Sequence, residues 1–358
     1  MTPTRRGRAL LGLAITLALV GGGAAAVLAL GGKAGVGPLA HSSTPGSSTS
    51  PSPTPSAPPT PCPLSGVVNS KGVPQRPALA IKVENLPAAR PQTGLSWADI
   101  VYEEPVEGGI TRFIVVYQCQ DASRVEPVRS ARLTDADVLR QFGKPLMGYS
   151  GGVPKVINAL RSAGVIDLSF GTSRASNAYH RDPNRLAPHN LYTSTKALYT
   201  AGKGLFEAVA PDPIFTYGPK APKGSQKVTE VHVPFSTSSD VFWKWSKSKK
   251  VWLRFHGTVP HLSSDGTQFS ATNVIVQLVK TELTDVTDAN GIPSPRAITV
   301  GTGKAYLFRG GRVIEGTWVR KSAGDVTKFL DLQGNEMELA PGQTWVELLP
   351  NDKKVSFS

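Results

Sequence analysis

ARPQTGLSWADIVYEEPVEGGITRFIVVYQCQDASRVEPVRSAR, residues Ala89 to Arg132, is the stretch on which the reading of the fold turns. Two runs inside it, Asp99–Tyr102 and Phe113–Tyr117, are dense in β-branched and aromatic side chains and read as strands. Carboxylates (Asp99, Glu103, Glu104, Glu107) and arginines (Arg90, Arg112, Arg129, Arg132) bracket these runs, and glycines and prolines mark the turns around them. Charged groups at strand ends, on loops held by a rigid core, are where α/β folds commonly display binding residues.

Working outward, Ala78–Val83 reads as a preceding strand. Downstream, Thr134 can cap a helix whose first turn holds Asp135 and Asp137, which suits the positive end of the helix dipole. Pro145–Tyr149 reads as a short strand. A helix starting at Pro154 and ending by Gly164 follows, then a strand over Val165–Phe170 and a helix over Thr195–Ala201. The alternation predicts an α/β (α+β) domain with a mixed sheet, residues 65–222. Beyond it, short β-like runs (227–234, 241–245, 251–255, 273–283, 296–301, 304–309, 312–318, 327–332) are separated by turn signals such as Asp265-Gly266 and Gly310-Gly311. They predict a mostly antiparallel β domain over 223–358, with segments 228–283 able to complete the first sheet instead. Trp243, Trp245, Trp252, Trp318 and Trp345 lie in this half, and cross-strand packing is preferred for them over a sugar-binding platform.

The front of the chain is different. Arg5, Arg6 and Arg8 precede the uncharged stretch Ala9–Gly32, which predicts a transmembrane signal anchor over 1–33 with everything after Lys33 outside the cytoplasm. The alternative is a cleaved signal and a secreted protein, with Ala24-Ala25-Ala26 as the processing site. Residues 34–64, nearly all Ser, Thr and Pro from His41 to Pro61, read as a disordered tether. Cys62 and Cys119 are the chain's two cysteines, and outside the cell they predict one disulfide, the alternative being two buried thiols.

The formal net charge is +13. With an extracytoplasmic address this argues against nucleic acid and for an anionic cell-wall or lipid-linked ligand. Arg129 and Arg132, just ahead of the Thr134 helix, are the expected receptor, joined by Arg112 and by Arg185 and Asn190 from the loop after Tyr179. Glu103, Glu107 and His189 are the candidate acid–base groups for the alternative, a hydrolase or phosphotransferase acting on an envelope phosphate. The competing structural reading is an ion-pair network of Glu103, Glu107, Arg112, Arg129 and Arg132 holding strand ends. His180, His189 and Asp182 lack a third ligand, so no metal is expected, and no cofactor motif is present.

Several blocks resemble the YerB-like lipoprotein family, a two-part bacterial envelope family of undetermined biochemical function. They are Ala89–Leu95, Ala98–Glu103, Val106–Phe113, Pro127–Arg132, Ala187–Tyr192, Asn273–Gln277, Gly316–Trp318 and Pro341–Trp345. The likeness covers most of residues 65–350 and implies an architecture and a compartment but no reaction. It departs at the front, where Cys62 falls too far past the apolar stretch to be a lipidated cysteine.

Overall fold

Residues 60–219, 221, 225–288 and 290–358 are described by the computed structural model. The expected membrane helix and most of the tether lie outside them. Among the described residues no helix is long and apolar enough to cross a membrane. The tether boundary placed at 64 falls inside the fold: Leu64 is fully buried, and Cys62 is disulfide-bonded to Cys119.

The N-terminal half contributes β1 (Leu79–Glu84), β2 (Ile100–Pro105), β3 (Thr111–Tyr117), helix α1 (Leu133–Leu139), β4 (Leu146–Gly148), α2 (Pro154–Ser162), β5 (Ile166–Asp167) and α3 (Thr195–Ala201). Its strands form one end of a twelve-stranded sheet, in the order β2-β3-β1-β4-β5. The β1–β4 and β4–β5 pairs are parallel and β2–β3 and β3–β1 antiparallel, so this part is a mixed sheet. The C-terminal half continues the same sheet as a largely antiparallel array. Lys328–Asp331, Arg312–Arg320, Gly301–Arg309 and Asn273–Thr287 lead to Thr344–Pro350, which pairs in parallel with β2. The boundary expected at 223 therefore separates the origin of the strands but not the sheet: the described residues from 60 onward cluster as one compact unit. The physical cause is Thr344–Pro350, whose backbone bonds join both halves and whose register sets Glu347 beside Glu103.

A second, six-stranded antiparallel sheet runs through Val259–Pro260, Val251–His256, Ser239–Ser246, Glu230–Ser236 and Ser356–Phe357. Burial alternates strictly along Glu230–Ser236, as a strand with one packed face requires. Its Val231, Val233, Trp243 and Trp252 join Ile81, Val83, Phe113 and Val115 in one apolar layer. On the other face of the large sheet Ala80, Ile114 and Val116 pack with Ala136 and Leu139 of α1 and Val156 and Leu160 of α2. Trp243 and Phe113 lie edge-on to Trp345, with centroids 5.2 and 5.3 Å away, so these rings pack the two sheets together, while Trp245 and Trp252 form a cross-strand pair 5.3 Å apart.

Helix α1 starts two residues earlier than its sequence suggests. Arg132, not Thr134, is the N-cap, and the Asp135 carboxylate accepts the Arg132 amide at 2.6 Å. Thr134 is buried and its hydroxyl accepts the Ala297 amide instead.

Candidate functional site

The arginines expected ahead of α1 are drawn together by the fold, Arg129 and Arg132 paired by their own neighbours and Arg112 left with a buried Nε unpartnered among the described residues. Arg132 makes a two-pronged ion pair with Glu107, Nε and Nη2 lying 2.6 and 2.7 Å from its oxygens, and Nη1 donates to the Ala131 carbonyl. Ser294, from the C-terminal half, also donates to Glu107. Burial raises the Glu107 pKa, but the Arg132 and Ser294 hydrogen bonds outweigh it and hold this carboxyl below its usual range. Arg129 donates to Glu84 at 3.0 Å, and Arg112 to the Ser130 carbonyl at 3.0 Å. Arg112 is nearly enclosed, and burial, with repulsion from Arg132, lowers it to about 10. The amide at the start of α1 is already taken by Asp135. Around Arg129 and Arg132 the arrangement is the ion-pair network rather than an open fork.

Glu103 is fully buried between the two sheets. It accepts from Arg254 at 2.5 Å, from Thr111 at 2.5 Å and from Asn85 at 3.1 Å. Arg254 also contacts His261 at 2.6 Å and His256 at 3.0 Å, and its guanidinium lies over the Phe113, Trp243 and Trp345 rings. Burial and the Arg254 charge push His261 well below the usual histidine range, so it is neutral. Burial and then Glu103 push Glu347 well above the usual carboxylate range, so it keeps its proton. What remains is one Glu103–Arg254 ion pair sealed in the core.

A cleft of about 650 Å³ opens over this cluster. The 3₁₀ turn Pro87–Ala89 sets Arg90 on its wall, the loop after β3 supplies Arg124 and Glu126, and the loop between the His180–Arg181 and Leu191–Tyr192 strands supplies Asp182, Arg185 and His189. Ser264 reaches in from the second sheet's side and accepts the Thr93 hydroxyl at 2.9 Å. Gly94, with φ +95°, backs this wall because a side chain there would collide with the Arg124 carbonyl.

The cleft's charges are unevenly matched. Arg124 pairs with Glu126 and Asp182 and stacks 3.8 Å from the Tyr192 ring. Arg185 donates to the Pro91 and Ala89 carbonyls at 3.0 and 2.6 Å and stands 3.8 Å from Glu126. Asn190 is turned to its own loop, donating to the Asp182 and Arg185 carbonyls and accepting from Arg181. His189 bonds through Nδ1 to Glu84 at 2.8 Å. Arg90 is the exception: it donates from Nη2 to the Asn85 carbonyl at 2.9 Å, its Nε is buried with no partner, and no carboxylate lies within ion-pair distance among the described residues. Burial, then repulsion from Arg254, lowers it to about 10 despite attraction to Glu103.

Sequence reading thus named Arg185, His189 and, as a possible metal ligand, Asp182 of this cleft but passed over Arg124 and Glu126, and over Glu84, which holds His189. Arg90 was visible only as one of four bracketing arginines.

Two family models match the chain, the N- and C-terminal domains of a protein of unknown function (DUF3048), over residues 64–206 and 231–346. The "Putative lipoprotein YerB" of Bacillus subtilis is 29% identical over 303 residues, covering 83% of this chain and 88% of that one. The crystal structure of the YerB protein from Bacillus subtilis superposes with a TM-score of 0.71 at 26% identity, covering 83% of this chain and 99% of the other. The chain belongs to this two-part, YerB-like family.

Proposed function

We propose that this YerB-like protein works outside the cytoplasm, held at the membrane by its N-terminal apolar segment, and binds the anionic group of a cell-wall or lipid-linked ligand in the Arg90 cleft. The relative's name as a lipoprotein and the basic flank of the apolar segment support the address. The observation that carries the binding reading is the state of Arg90. A half-buried guanidinium with an unpartnered Nε and a like charge behind it leaves desolvation unrepaid. An entering phosphate or carboxylate pairs with the exposed part of the guanidinium and offsets the repulsion, with Arg124 and Arg185 adding positive potential. Pyrophosphate serves as a probe. The unfolding midpoint of the wild type rises with pyrophosphate, and that of Arg90→Gln does not. A wild-type midpoint indifferent to the probe, or the same rise in both proteins, removes the reading.

A second reading, a hydrolase or phosphotransferase, rests on His189. With Nδ1 held by Glu84, its Nε2 has no protein partner among the described residues, and the side chain lines the cleft, the posture of a general base. Phosphate release from an aryl phosphate by the wild type, lost in His189→Gln with pyrophosphate binding intact, is the expected sign; no turnover by the wild type excludes it.

A further inference from the structure

A second group of buried charges, apart from the cleft, sits on the helix-covered face of the large sheet. Lys82 on β1 and Glu104 on β2 flank β3, and Asp135 descends from the first turn of α1. All three side chains are completely shielded from solvent. Lys82 Nζ is in contact with Glu104 Oε1 and stands 2.6 Å from Asp135 Oδ1. Asp135 is anchored by its other oxygen, which accepts the Arg132 amide at 2.6 Å. Among the described residues Glu104 Oε2 has no hydrogen-bond partner of good geometry, although the Thr134 hydroxyl acts on this carboxyl.

The three groups are an amine, an acid with an unheld oxygen, and a fixed base, enclosed where water does not compete. A buried ammonium–carboxylate pair is expensive to keep ionised. Burial lifts Glu104 to about 7 against the pull of Lys82, so this carboxyl takes up a proton more readily than an exposed one. Passing one proton from Lys82 to Glu104 sets a neutral amine against a neutral carboxylic acid, and their fixed proximity removes the entropic part of the barrier to attack.

We propose that Lys82 and Glu104 condense spontaneously into an intramolecular isopeptide bond, with Asp135 as the general base. Lys82 Nζ adds to Glu104 Cδ. Asp135 takes the second nitrogen proton and returns it to the departing hydroxyl, which leaves as water. One C–N bond forms, one C–O bond breaks, no oxidant is needed, and Asp135 ends as the carboxylate it began. The amide replaces a buried ion pair, removes the unpartnered oxygen and staples β1 to β2 across β3. Together with the Cys62–Cys119 disulfide it gives the N-terminal half two covalent ties.

The test is peptide mapping by mass spectrometry of the full chain, denatured and reduced before digestion. The expected product is a branched peptide joining the segment carrying Lys82 to the segment carrying Glu104, one water lighter than the two together. In Lys82→Met both segments appear linear. Linear peptides from the wild type, with Lys82 reactive towards an amine reagent under denaturing conditions, overturn the proposal, and that result depends on no variant folding. A branch from Lys82 to Asp135 overturns the assigned roles. A one-water loss confined to Asp265-Gly266 is succinimide formation and also counts against the bond.

Discussion

Arg254 and Arg90 are near neighbours in charge and opposite in circumstance. Arg254 is sealed between the sheets with a carboxylate, two neutral imidazoles and three aromatic faces around it. Arg90, on the wall of the cleft above, has one carbonyl and no carboxylate within ion-pair distance among the described residues. The contrast teaches that a cluster of arginines is informative about ligands only after its internal pairing is known. A guanidinium whose partners are supplied by the fold holds the fold; one whose partners are missing, at the edge of a cleft, is available to something else.

The comparison can be broken at its rigid end first. Arg254→Met leaves Glu103 buried without its cation while keeping much of the apolar contact, and is expected to cost about 3–5 kcal/mol in denaturant unfolding. A loss below about 1 kcal/mol makes the inter-sheet pair no more than a surface bridge. Next, Glu107→Gln removes the charge on which Arg132 forks and is expected to cost about 2 kcal/mol, with pyrophosphate binding unchanged. A stable variant with altered binding returns Arg132 to the ligand site.

The smallest effect concerns pH. Glu347 is protonated in the fold and ionised in the unfolded chain once pH exceeds about 4.3. Across the window from there up to its raised folded value the native state holds the extra proton, so Glu347 subtracts stability as pH rises, by at most about 1.4 kcal/mol per pH unit. Glu347→Gln lacks this loss. The stability difference between variant and wild type, measured by denaturation at pH 5 and about 7, is expected to widen in the variant's favour; a constant difference places an ordinary, ionised carboxylate at Glu347.

Much of the fold was legible in the chain. The helix over Thr195–Ala201 and the strands near 241–245, 251–255, 304–309 and 312–318 stand where their periodicity and turn residues put them, because those segments have one packed face and clear punctuation. The strand Thr344–Pro350 was not anticipated, and it is the one that fuses the halves. Its residues are buried on both faces, so no alternation shows, and the charged Glu347 in its middle disguises a core segment. The pairing of the arginines was hidden for a related reason. Glu84 and Glu107 neutralise Arg129 and Arg132 from 45 and 25 residues away, distances at which spacing along the chain says nothing about pairing. Arg90 looked like its neighbours because what distinguishes it is the want of a carboxylate partner at the wall of an open cleft, a property of the folded surface alone.

The most direct measurement is a calorimetric titration of pyrophosphate into the wild type, Arg90→Gln and Arg132→Gln under one buffer condition. The expected result is binding by the wild type and by Arg132→Gln, with the signal abolished in Arg90→Gln. Binding that survives in Arg90→Gln and disappears in Arg132→Gln contradicts the account and restores the paired arginines ahead of α1 as the receptor.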